Sequence, residues 1–287
     1  MDSLKDSLAQ WFKDALVDGI MGRFEGMFDN LNAEISGIAA QVGATPAGWN
    51  AGVFYMIKSI SETVVLPIAG IVLTFVLCYE LIQLIMERNN MHEFDSFNIF
   101  KWMFKTYVAV YVLTNTFDIV MAVFELAQNV IAGSSGHISG SVDAALALDA
   151  LRESLEGMEL PELFGLFLES FIVSLALKAM SVCIFIIAYG RMLEIYLTVS
   201  VAPIPFATMA NREWGQIGNN YIKSLFAVAF QGFLIMVCVG IYAVLLGGVA
   251  LSSNAHIAIW TLLGYTVLLC FSLFKTGSLA KSIFGAH

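Results

Sequence analysis

The sequence predicts an all-α polytopic membrane protein of about five transmembrane helices, preceded by N-terminal amphipathic helices, and three observations carry that prediction. Hydrophobic residues make up 59% of the 287 positions and charged residues only 13%, with a mean hydropathy of +0.79. That is far too apolar for a soluble domain of this length. The apolar residues gather into runs near the roughly 20 residues that a helix needs to cross a hydrocarbon core. Polar stretches separate the runs, at 86–106, 132–162 and in the segment GGVALSSNAH.

Residues 3–17 place Leu4, Leu8, Trp11, Phe12 and Ala15 on one helical face, with Asp6, Lys13 and Asp14 elsewhere. Ile20, Phe24, Phe28, Leu31, Ile35 and Ile38 form a second stripe in a different phase. The phase change predicts two interfacial amphipathic helices with a break between Asp18 and Gly22, within an extracytoplasmic or interfacial region spanning 1–52. Asp2, Asp6, Asp14 and Asp18 interrupt the opening, so no cleaved leader is expected. Thr45, Pro46 and Gly48 mark a linker into the transmembrane domain, 53–287.

The first span falls at about 60–86, with Pro67 placed to kink it. Lys58, Glu62, Ala69, Glu80, Gln83 and Glu87 share one arc at 3.6 residues per turn, and lipid would reject Glu80 on that arc. The second span, about 103–129, carries a more continuous stripe: Tyr107, Tyr111, Thr114, Asp118, Ala122, Glu125 and Asn129. A polar stripe of that length reads as an oligomer seam or an aqueous lining, with a proton site at Asp118 as the narrower alternative. Residues 132–162 form an acidic outer loop with Asp143, Asp149, Glu153, Glu156, Glu159 and Glu162 against Arg152 alone.

Between Leu163 and Met209 only Glu169, Lys178, Arg191 and Glu194 are charged. This stretch reads either as two short spans turning at Tyr189 and Gly190 or as one long helix. The positive-inside rule separates the two readings. Arg88, Lys101, Lys105, Arg212, Lys223, Lys275 and Lys281 all fall inside if the stretch crosses once. Five spans follow, with the N-terminus outside and the C-terminus inside; a sixth span would leave Lys275 and Lys281 outside. Arg191 and Glu194, three residues apart, share a face on which they can pair. Pro203 and Pro205 lack amide donors and push the residues before them out of helical geometry, so the helix should end near Val201. A cytoplasmic amphipathic segment at 206–223 follows, then spans at about 224–246 and 257–274, where Gly232 and Gly240 permit close helix approach.

Several function classes are excluded or weakened. A net charge of −9 with 14 Lys and Arg argues against binding nucleic acid over the whole surface, because phosphate contacts need cations. Cys78, Cys183, Cys238 and Cys270 sit singly in apolar runs and read as packing residues. His92, His137, His256 and His287 lie in loops or at the terminus, and neither a Walker A sequence nor HExxH is present. No enzymatic activity, metal or cofactor is expected; bound phospholipid is the one small-molecule candidate.

The order of amphipathic N-terminal region, five or six spans and acidic outer loop, with the motif LEIYLTVSVAPIPFATMANREW, resembles the TrbL-type polytopic subunits of type IV secretion and conjugation systems. These are similar to the sixth VirB component, and this short form is most similar to those of Gram-positive integrative conjugative elements. The resemblance implies a channel or scaffold subunit in the cytoplasmic membrane. Its implied partners are other copies of itself, an ATPase and further secretion subunits, membrane lipids, and translocated DNA or protein. It also implies that Trp214 lies just past the proline break and that Arg191 and Glu194 lie on the helix leading to it. The candidate structural or conduit residues are therefore Glu80, Asp118, Lys178, Arg191, Glu194, Pro203, Pro205 and Trp214. The alternative from a different class is an ion-coupled secondary transporter using those intramembrane charges, with a holin-like scaffold as a third reading.

Overall fold

The computed structural model describes residues 2–86, 96–135, 145–250 and 254–286. Arg88, His92, His137, Asp143 and His287 lie outside them. Among the described residues there is no strand, and five helical stretches are long and apolar enough to cross a membrane: Ala51–Met86, Thr116–Gly133, Leu160–Ser200, Gly215–Val249 and Ala255–Phe284. The stretch 163–209 thus holds one long helix rather than two short ones. The chain forms two compact units, each assembled from three separate stretches.

The first unit contains Met1–Gly43, Ile131–Tyr189 and Phe233–Thr276. Its opening helix, α1 (Asp2–Gly43), is continuous over 42 residues, and the break expected between Asp18 and Gly22 is absent. The two apolar stripes occupy different faces of one helix. Ile20, Phe24, Leu31, Ile35 and Val42 are buried, whereas Leu8, Trp11 and Phe12 remain exposed. A helical glycine costs only about 1 kcal/mol relative to alanine, so Gly19 and Gly22 need not end the helix. Gly19 marks a close approach instead, since a Cβ there would lie 3.0 Å from the Phe167 ring.

Helix α1 runs parallel to the long helix of the unit, and contacts advance together along both. Lys13 Nζ donates to the Glu156 carbonyl at 2.7 Å, and Arg23 Nη1 donates to the Phe167 carbonyl at 2.7 Å. Arg23 also donates to Ser170 Oγ at 3.1 Å, and its guanidinium lies 3.8 Å from the Phe167 ring centroid. Further along, Ser181 Oγ donates to Glu34 Oε1 at 3.0 Å. Within the stretch expected to be a solvent-facing loop, Ala145–Gly157 forms a helix that buries Leu151 and Leu155, and Arg152 pairs with Asp18 at 2.7 Å. The core joins Leu163, Leu166 and Ile184 to Ile235, Leu246, Ile259 and Leu273. Tyr242 and Thr266 share a buried hydroxyl hydrogen bond of 2.7 Å, and His256 meets Glu169 at 2.8 Å.

The second unit contains Ala44–Val130, Gly190–Gly232 and Gly277–His287. The helices used below are numbered in chain order: α2 (Pro46–Trp49), α3 (Ala51–Ile60), α4 (Leu66–Met86), α5 (Ser96–Thr114), α6 (Thr116–Ser135), α7 (Ala145–Gly157), α8 (Leu160–Ser200), α9 (Pro203–Thr208), α10 (Gly215–Ala250) and α11 (Ala255–Phe284). A π-helical turn, Ser61–Val65, connects α3 to α4 without interrupting the helix. Pro67 explains its position. Proline has no N–H to donate to the carbonyl four residues back, and its ring crowds that carbonyl, which a widened turn relieves. The Leu66 N–H reaches Ser61 O across the wide turn. Lys58 lies before the turn, Glu62 within it, and Glu80 and Gln83 beyond it.

The second span, expected unbroken over 103–129, is divided at Asn115. Three successive side chains bond to carbonyls of the preceding turn: Thr114 Oγ1 to Val110 O, Asn115 Nδ2 to Tyr111 O, and Thr116 Oγ1 to Leu113 O. Such bonds compete with the helical ladder and bend it. Helix α8 ends at Ser200, one residue before the expected stop.

After α9 the chain turns tightly and starts α10 at Gly215, so residues 206–223 comprise the end of α9, a turn and the first turns of α10. Gly218 permits this return. A Cβ on it would lie 2.7 Å from the Pro205 carbonyl oxygen and 2.1 Å from Met209 Cγ. Gly218→Ala is therefore expected to destabilise the protein by about 1–3 kcal/mol through overpacking against backbone. Gly247→Ala in the same helix, with nothing within 4 Å of the added carbon, should be neutral or up to about 1 kcal/mol stabilising. Thermal unfolding of the two variants in detergent checks the contrast.

Candidate functional site

The proline break is held on both flanks by side chains of the second unit. Pro203 is buried and Pro205 half-buried, and Ala207 of α9, with Ala210 just past it, joins Ala69, Leu73 and Val76 of α4 in one core. Past the break, Asn211 Oδ1 accepts the N–H groups of Glu213 at 2.8 Å and Trp214 at 3.4 Å. Both amides lie in the turn just before α10, where the helix supplies no carbonyl for them. The Trp214 ring then stacks on two residues of α4, Phe75 at 5.3 Å and Tyr79 at 5.8 Å between centroids. Glu213 closes the cluster by accepting from Tyr79 Oη at 3.2 Å and Gln83 Nε2 at 2.8 Å. On the helix before the break, Tyr196 Oη donates to the Pro46 carbonyl at 2.6 Å. Tyr221 Oη donates to Thr198 O at 2.8 Å across the return.

The charged candidates fall into separate pairs rather than one cluster. Glu80 accepts from Lys105 of α5, with its side chain 21% exposed. Asp118 is 73% exposed and lies 3.9 Å from Lys58, which also reaches Glu62 at 3.7 Å. Arg191 is buried at 2% exposure. Glu194, expected to pair with Arg191, accepts from Lys281 Nζ at 3.1 Å. Lys178 is exposed and belongs to the first unit. The expected stripe on the second span does share one outward face: Tyr107, Tyr111, Thr114, Asp118, Ala122, Glu125 and Asn129 are all exposed.

Sequence reasoning passed over Phe75, Tyr79, Asn211 and Glu213. The signal was present for the first two, since Phe75, Tyr79 and Gln83 recur every four residues on one face of α4. Lys105 and Lys281 had no comparable local signal. Among the described residues no three His, Cys, Asp or Glu side chains converge as metal ligands, and the four cysteines carry free thiols.

Long apolar helices, a helix broken by prolines and re-anchored by aromatic stacking, and charges held in pairs define an all-α polytopic membrane protein. A family model described as TrbL/VirB6 plasmid conjugal transfer like protein matches residues 31–203, more than half of the chain, and the chain belongs to that family. Membership makes it a conjugal transfer component. The match includes Glu80, Asp118, Lys178, Arg191, Glu194 and Pro203, and stops short of Pro205 and Trp214. No curated protein and no solved structure matches the chain.

Removing one member of an ion pair leaves the other uncompensated, at a cost that grows with burial. Lys105→Met, which leaves the mostly buried Glu80 without its cation, is expected to cost about 1–3 kcal/mol after allowing for residual exposure. Lys281→Met, opposite the more exposed Glu194, should cost less than about 1 kcal/mol. Unfolding midpoints of the two variants rank the pairs, and the exchange Glu80→Lys with Lys105→Glu should recover much of the larger loss.

Proposed function

We propose that the protein is a channel or scaffold subunit of a type IV secretion machine for conjugative DNA transfer, working in the cytoplasmic membrane as a homo-oligomer beside an ATPase and other channel subunits. The observation that carries this reading is the outward polar face of α5 and α6, in a chain whose family match is to conjugal transfer proteins. Asp118 and Glu125 on that face are poorly tolerated by lipid, and a second copy or water offers the alternative environment. The paired arrangement of Glu80 with Lys105 and of Glu194 with Lys281 fits a structural use of charge better than ion-coupled transport.

The proposed orientation has the N-terminus outside and the C-terminus inside. The gathering of Lys101, Lys105, Arg212, Lys223, Lys275 and Lys281 on one side of the five spans supports it. No cofactor takes part, and energy for export comes from partner subunits.

A strain lacking the protein is expected to lose conjugative transfer and to regain it on complementation. Asp118→Leu with Glu125→Leu should lower transfer and weaken cross-linking between copies through cysteines placed at Thr114 and Ala122. Normal transfer by the deletion strain, or ion-coupled solute uptake by the purified protein alone, would overturn the proposal. Labelling of single cysteines should place Lys281 on the cytoplasmic side and Asp149 outside; the reverse pattern would sink the orientation.

A further inference from the structure

Within the first unit, α1 and α8 do not close completely on each other. A cavity of about 350 Å³ lies between them, lined by Asn30, Glu34 and Gln41 of α1 and by Ser181, Phe185 and Tyr189 of α8. A smaller cavity of about 110 Å³ shares Asn30, Glu34 and Ser181 with the first and adds Ser174 and Lys178. Together they make one cleft with a carboxylate at its centre and an ammonium at one end.

The larger lobe has the chemistry of a cation site. Glu34 supplies the negative charge, and its Oε1 already accepts from Ser181 at 3.0 Å. Phe185 and Tyr189 form an aromatic wall, with centroids 4.0 Å apart and ring planes at 33°. The Gln41 amide donates to Tyr189 Oη at 3.4 Å and sets the far end. A carboxylate and aromatic rings lining one cavity suit an organic ammonium group, by charge and by the negative faces of the rings. Burial pushes the Glu34 carboxyl above its ordinary range, and the Ser181 hydroxyl draws it part of the way back. A cationic ligand group would offset that burial penalty. The smaller lobe, with the Ser174 hydroxyl and Lys178, suits an anion such as a phosphate.

Membrane geometry favours a lipid as the source of both charges. Helix α8 has 41 residues, which at 1.5 Å per residue is roughly 61 Å, about twice the thickness of a hydrocarbon core. Some level along α8 must therefore meet the headgroup layer. Lys178 and Ser181 flank its midpoint.

We infer that this cleft binds the headgroup of a zwitterionic aminophospholipid, with the ammonium against Glu34, Phe185 and Tyr189 and the phosphate at Lys178. The inference concerns a lipid site and stands apart from the conjugation role, so failure of either leaves the other intact.

The test uses the full-length protein in nanodiscs of equal phosphatidylethanolamine and phosphatidylglycerol, with native mass spectrometry after mild detergent release. The wild type should retain phosphatidylethanolamine in preference. Glu34→Gln and Lys178→Gln should each reduce that retention about tenfold, the effect of losing one contact to a charged group. Circular dichroism and the elution profile report whether each variant is folded. Lys178 is exposed, so its variant keeps the test decisive if Glu34→Gln does not fold. Equal retention of the two lipids, or variants that retain phosphatidylethanolamine as the wild type does, would overturn the inference. Thermal stabilisation by free phosphoethanolamine without lipid preference would assign the cleft to a soluble zwitterion and overturn the lipid reading.

Discussion

Backbone polar groups in an apolar setting must find partners inside the protein, and no point of the second unit meets that demand under tighter conditions than the stretch from Ser200 to Gly215. Two prolines remove donors there, and the tight return removes the option of continuing the helix. The remedy is local and chemical. The Asn211 side chain takes the amides of Glu213 and Trp214 just before α10, the hydroxyl of Thr208 bonds back to Pro205 O at 2.7 Å, and Gly218 leaves room for the Pro205 carbonyl. Trp214, Tyr79 and Glu213 then fasten the turn to α4, so the irregular backbone is covered by protein.

The same logic governs the charges. A carboxylate facing hydrocarbon is costly, whereas one bonded to a lysine of a neighbouring helix is tolerable. Glu80 and Glu194 meet this condition through Lys105 and Lys281. Asp118 and Glu125 meet it less completely, since their face is open. The division between satisfied and unsatisfied charges separates groups that hold the fold from groups that look outward for a partner.

Much of this was legible from residues alone. Hydropathy over some 20 residues is a property of the segment itself, which is why the five crossings and the stop before Pro203 were readable. Helix α1 misled because a change of apolar phase looks like a break, although one unbroken helix can serve a core on one face and expose Leu8, Trp11 and Phe12 on another. The division at Asn115 depends on three side chains turning back onto carbonyls, a choice that Thr and Asn make according to surroundings. The partners of Glu80 and Glu194 lie 25 and 87 residues away in sequence, beyond any periodic pattern. The candidate site was therefore half readable: its prolines and Trp214 announced themselves, but the residues that anchor them did not.

The long parallel contact of α1 with α8 has a consequence for biosynthesis. Arg23 closes on Phe167, 144 residues later, and at typical translation rates of about 5–20 residues per second that partner emerges roughly 7–30 s after it. Throughout this interval the apolar side of α1, from Ile20 to Val42, has yet to meet α8. A nascent chain in this condition depends on the insertion machinery or a chaperone to shelter its first helix, and its yield in a heterologous host should be set by how well that waiting period is managed.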